Sequence, residues 1–135
     1  MAIQKLESAI KTPLPLDTTL YRAIPNCTEF LKLEIGANYQ PDSFTSTCRT
    51  WKLLTTHLKP GLNPRRTPAA VLTLRVPKGH TVLNVTPAGV DEDEVLLKPG
   101  ISWILISRSN GRKECYSSLP ANWMSNFWEI CFEVK

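Results

Sequence analysis

Histidine is nearly absent from this chain, with only His57 and His80 in 135 residues, and its four cysteines never form a Cys-x-x-Cys pair. No histidine stands at ligand spacing from a cysteine, which argues against a zinc site. Cys27, Cys48, Cys115 and Cys131 are therefore expected to be small buried or half-buried thiols. Nothing pairs either histidine with a serine or cysteine nucleophile, so they read as surface or turn residues. Glycine is sparse at six residues. None of the six falls into a G-x-G-x-x-G after a strand or a Walker loop, so Rossmann and P-loop modes of nucleotide binding are unsupported. Apolar runs all stop far short of the ~20 residues that span a bilayer. The opening MAIQKLESAIKTPLP has no basic stretch followed by a long apolar run, so the chain reads as soluble, with no export signal and no membrane partner. Internal repeats and low-complexity segments are lacking too. At 15.2 kDa and 42% hydrophobic residues there is one core's worth of chain, and residues 1–135 are expected to form a single domain.

Sixteen basic residues against twelve acidic ones give a net charge of +4. The basic residues are thinly spread apart from Arg65-Arg66 and Arg108/Arg112-Lys113, which suits an anionic partner without selecting one. Ile3, Leu6 and Ile10 at helical spacing predict a short amphipathic helix ended by Pro13 and Pro15. TLYRAI (19–24) predicts a strand, Thr28 to Leu33 a helical turn opened by a Thr cap, DSFTSTC (42–48) a strand, and Trp51 to Leu58 a helix. KPGLNPRRTP (59–68) has three prolines and a glycine and is a loop. Strands follow at 69–76, 80–85, 94–97, 102–107 and 127–134. Helices early and strands late give an α+β fold, with short N-terminal helices and a mostly antiparallel β-sandwich.

Three features remain to be explained. Four consecutive acids, Asp91 to Glu94, run straight into the apolar Val95-Leu96-Leu97. In an extended segment Glu92 and Glu94 share a face, roughly 7 Å apart along the chain, and repel unless a ligand, a cation or solvent compensates. A solvated acidic turn before a strand is the plainer alternative. Arg22 stands inside the apolar strand LYRAI, where a permanent charge needs an anion or a carboxylate. Phe44-Thr45-Ser46-Thr47-Cys48 lines hydroxyls along another strand.

In that order, Arg on a first strand, an aromatic-x-Ser-Thr-Ser-like element on the next, and Glu-x-Glu leading into Val-Leu-Leu, the chain resembles the Arg-Ser-Glu class of mono-ADP-ribosyltransferases. VLTLRVPKGHTVLNV also resembles that family's strand, Pro-x-Gly turn and strand. The likeness covers residues 19 to 107, with 127–134 as a plausible final strand. Two departures stand out: Cys48 takes the place of the last serine, and the N-terminal helical region is short.

The resemblance implies an ADP-ribosyltransferase-like fold around a cleft for NAD, which is the substrate. It implies that Glu94 stabilises the oxocarbenium-like transition state, that Glu92 orients the acceptor and takes its proton, and that Ser46 orients Glu94. It implies that Arg22 holds the diphosphate or ribose, that backbone groups at Ala23 hold the nicotinamide amide, and that Thr47 adds to the NAD contacts beside Ser46. Trp51 would stack on nicotinamide, with His57 a second option and a core position for Trp51 as the alternative. Arg65 and Arg66 either reach the phosphates or form a solvated loop. Glu at position 92, in place of Gln, goes in the family with a protein arginine as acceptor. Hydrolysis of NAD, transfer to another side chain or to RNA, and a non-catalytic binding module on the same fold stay open as alternatives, a nucleic-acid acceptor being less favoured. The implied setting is a toxin or effector domain acting in a target-cell cytoplasm, with an immunity or delivery partner unidentified.

Overall fold

The structure is a computed structural model that describes residues 10–50, 67–84, 94–110 and 127–135. Its elements in chain order are β1 (Ile10–Pro13), β2 (Thr18–Ile24), α1 (Thr28–Leu31), β3 (Asn38–Tyr39), β4 (Thr45–Cys48), β5 (Ala69–Val76), β6 (Thr81–Asn84), β7 (Glu94–Leu97), β8 (Trp103–Asn110) and β9 (Phe127–Val134). All nine strands hydrogen-bond into one sheet, in the order β1-β6-β7-β4-β2-β5-β9-β8-β3. Every pairing among the described residues is antiparallel except β5 with β9, which is parallel.

This sheet cannot be flat. β5 and β6 stand four places apart in it, a distance of roughly 19 Å between strands spaced at about 4.8 Å. Only Pro77 to His80 joins them, and five Cα steps reach about 17 Å. The sheet therefore folds over on itself, and both wings contribute to one core: Val82 and Val95 from β6 and β7, with Leu20, Leu74 and Phe132 from β2, β5 and β9. Burying each such side chain contributes roughly 1.5–3 kcal/mol before entropy is counted. The turn between β5 and β6 needs Gly79, whose φ of +86° an L side chain adopts only with strain. That turn is tied to the β1–β2 connection, where Gly79 N donates to Leu14 O, Leu14 N to His80 O, and Lys78 N to Asp17 Oδ1.

The expected architecture is corrected in part. Ile10 and Pro13 belong to a strand, and the rest of the expected N-terminal helix lies outside the described residues. Pro13 lacks an N–H and is tolerated because β1 is an edge strand whose sole neighbour among the described residues is β6. Among the described residues helix is limited to α1, a single turn of four residues within the expected Thr28 to Leu33. Its N-cap is Cys27 with no side-chain cap; instead Asn26 Oδ1 accepts from both the N–H and the hydroxyl of Thr28. The expected mostly antiparallel sandwich is met in part: the strands form one folded sheet, antiparallel except for β5 with β9. The expected helix at 51–58 lies outside the described residues.

Candidate active site

Side-chain alternation sorts β4 and β7 into two faces. Their register pairs Thr45 with Leu97, Ser46 with Leu96, Thr47 with Val95 and Cys48 with Glu94. Thr45, Thr47, Val95 and Leu97 point into the core and are buried. Ser46 and Glu94 therefore share the opposite face as diagonal cross-strand neighbours, within reach of each other. The Ser46 hydroxyl donates a short hydrogen bond to Glu94 Oε2. Both residues are half-buried, so the carboxylate is held yet accessible.

β2 delivers the arginine. It meets β4 at the pair Tyr21–Cys48. One residue further on, Arg22 Nη1 donates to the Ser46 carbonyl at 2.9 Å. Among the described residues this is the only hydrogen bond of the Arg22 side chain, and no carboxylate forms an ion pair with it. A guanidinium has five donors, so most of this fork is available to an anion. Cys48 sits where three strands meet, between Tyr21 and Glu94, and is 8% exposed, in keeping with a bracing position. Ala23 pairs with Val71 on the other side of β2.

Beside Arg22 a cavity of about 180 Å³ opens, walled by Asn26, Glu29, Tyr39, Asp42, Phe44 and Thr45 among others. Neither Ser46 nor Glu94 lines it, so Arg22 stands between the cavity on one side and the Ser46–Glu94 pair on the other. Phe30, Tyr39, Trp103 and Phe132 pack edge-on beneath it, with ring centroids 4.9 Å apart for Phe30–Tyr39 and 5.5 Å for Trp103–Phe132. Burial raises the Tyr39 phenol pKa, the Glu29 and Asp42 carboxylates push it further, and Arg22 opposes them. Tyr39 thus presents a neutral O–H among one cation and two anions.

Of the site residues expected from sequence, the structure brings together Arg22, Ser46 and Glu94. Thr47 goes elsewhere. It is 1% exposed and its hydroxyl donates to Val95 O at 2.7 Å, which makes it a brace between β4 and β7. Glu92, Trp51, His57, Arg65 and Arg66 lie outside the described residues. Sequence reasoning missed Tyr39, because a two-residue strand has no period to read, and it took Asp42 only as the first residue of the strand 42–48, which starts at Thr45. It also read Arg108 only as part of the basic group Arg108/Arg112-Lys113. Among the described residues no group of three His, Cys, Asp or Glu side chains could hold a metal ion. No helix there is long and apolar enough to cross a membrane.

No family model and no curated protein matches the sequence. Solved structures do. The ADP-ribosyltransferase Vis of Vibrio splendidus, in complex with agmatine, superposes with a TM-score of 0.61 at 19% identity, covering 90% of this chain and 51% of its own. Plx2a, an ADP-ribosyltransferase toxin from Paenibacillus larvae, gives 0.60 at 16% identity over 92% of this chain and 64% of its own. The ADP-ribosylating toxin BECa of C. perfringens, with NADH, gives 0.60 at 15% identity over 91% and 32%. The fold of this chain is the ADP-ribosyltransferase-like fold of these structures. It spans about half the length of the Vis chain.

Proposed function

We propose that this chain binds NAD where β2, β4 and β7 converge and transfers its ADP-ribose to a macromolecule, with a protein arginine as acceptor. The observation that carries this reading is the continuous contact from Arg22 Nη1 to the Ser46 carbonyl and from the Ser46 hydroxyl to Glu94. It places a fixed cation and a positioned carboxylate on either side of one serine, in a fold whose solved examples are ADP-ribosyltransferases.

The chemistry asks for both charges. As the C1′–N bond to nicotinamide breaks, its electron pair leaves with nicotinamide and positive charge builds on the ribose. Glu94 faces that charge, with Ser46 fixing its orientation, so its stabilising effect is largest in the transition state. An acceptor nitrogen then bonds C1′ and loses a proton. Glu92, two residues ahead of Glu94, is assigned to orient that nitrogen and receive the proton. Arg22 takes the diphosphate, with Ala23 and Trp51 assigned to the nicotinamide. The cavity on the other side of Arg22, with its Tyr39 and Phe44 walls, suits a flat base such as adenine. The agmatine bound to Vis carries the same guanidinium group as arginine and supports that choice of acceptor. Toxin neighbours support a role as a toxin or effector domain.

Incubating the chain with labelled NAD and a cell lysate tests this. Label on protein, mapped to arginine, is the expected outcome. Nicotinamide release without label would redirect the reading to hydrolysis, and neither product would leave a binding module. Glu94→Gln is expected to keep the fold and NAD binding while cutting transfer by roughly a hundredfold or more, on the order of 3 kcal/mol.

A further inference from the structure

Arg108 is a second arginine, beside Arg22, whose side chain runs inward among the described residues. β8 starts with Trp103 paired to Val134 and Leu105 to Phe132, all buried. A regular ladder would then set Arg108 opposite Glu129, on the face away from the core. The register shifts between Leu105 and Ser107, so Arg108 falls opposite Ile130, which is fully buried. One bulge residue thus turns Arg108 to the core face, a known use of such irregularities.

Turned inward, Arg108 Nη1 donates to two carbonyls, Phe30 O at 2.8 Å and Leu33 O at 2.6 Å. These lie at the end of α1, which has no basic residue of its own in its last turn. A four-residue helix does not hold itself together, and the cation adds a charged donor to Phe30 O, which already accepts from Leu33 N, and ties it to Leu33 O just past the helix end. The charge of Arg108 also reaches Cys27, at the other end of α1. The segment held in this way supplies Asn26, Glu29 and Phe30 to the wall of the cavity beside Arg22.

We infer that Arg108 is a positioning residue for the dinucleotide: by clamping the end of α1 from across the sheet it sets the cavity wall on one side of Arg22. The inference rests on the NAD reading above. Arg108 does not approach the Ser46–Glu94 pair, so its loss affects binding and leaves the bond-breaking step alone. Nicotinamide release is to be measured over a range of NAD concentrations for the wild type, Arg108→Lys and Arg108→Met, with thermal unfolding alongside. The expected result for Arg108→Met is a KM for NAD raised roughly tenfold with kcat within about twofold of wild type, because a displaced wall weakens binding shared by ground and transition states. Arg108→Lys, which keeps the charge but loses the fork, should fall between. A purely structural role predicts a lower Tm with unchanged KM, and that result overturns the inference. So does a loss confined to kcat. If Arg108→Met does not fold, Arg108→Lys decides on the same readout. A wild type that neither binds nor turns over NAD defeats the NAD reading itself; a wild type that does, beside variants of unaltered KM, defeats only the role of Arg108.

Discussion

Ser46 uses both of its polar ends, its carbonyl accepting from Arg22 and its hydroxyl donating to Glu94. The two functions separate by mutation. Ser46→Ala keeps the carbonyl, so Arg22 stays in place and NAD affinity should change little, but Glu94 loses the group that orients it. A fall in kcat of roughly ten- to a hundredfold is expected, since supporting contacts of this kind typically count that much. Steady-state nicotinamide release checks it, and an unchanged kcat would remove Ser46 from any orienting role. These three residues were legible because each breaks a local rule: a charge inside an apolar strand, a run of hydroxyls on a strand, and acids crowded at a strand's entrance. Arg108 broke none that sequence could show. Which face it takes depends on a single bulge in its pairing with β9.

Among the elements, β5, β7 and β9 fall where their apolar, β-branched and aromatic runs predicted them, at Ala69–Val76, Glu94–Leu97 and Phe127–Val134. β1 was read as the end of a helix. Ile3, Leu6 and Ile10 fit a helical period, but Ile10–Pro13 finds a complete partner in Thr81–Asn84, and pairing overrides a short periodic signal. Thr47 shows the same limit within one element: its type suited a ligand contact, while the pleat turned it into the core. Thr47→Val should therefore leave KM and kcat per folded molecule alone and cost about 1–2 kcal/mol of stability, because it removes a buried hydrogen bond between β4 and β7. Urea unfolding measures this. A raised KM at unchanged stability would return Thr47 to the NAD site.

For the whole molecule, buried titratable groups shape the pH range of the fold. Burial pushes the Cys27 thiol from 9.0 up to about 11, against a weaker opposing pull from its backbone hydrogen bond and from Arg108. Burial raises Cys131 as well. With a folded pKa above the unfolded one, the stabilising effect is complete below about pH 9 and is lost as pH climbs toward 11. For Cys27 alone the loss is on the order of 2 to 3 kcal/mol. His80 acts on the acid side: burial, helped by Lys98, lowers its pKa, so stability declines as pH falls below the unfolded value of 6.5. Urea midpoints at pH 5.5, 7.5 and 10.5 should therefore peak at the middle value, and a midpoint at pH 10.5 equal to that at 7.5 would contradict the buried-thiol account.

By itself the sequence determined which residue types could carry charge chemistry and where most strands run, because both are written in local composition and in a period of two. It also placed Pro77 to Gly79 as a turn, since Pro and Gly set backbone angles without outside help. Only the tertiary structure decided that β5 pairs in parallel with β9, more than fifty residues later in the chain, that the sheet folds over one core, and that Arg22 meets Ser46. The same holds for the face that Thr47 and Arg108 present. Pairing partner and register follow from burying every strand's apolar face at once, a condition on the whole chain that no short stretch contains.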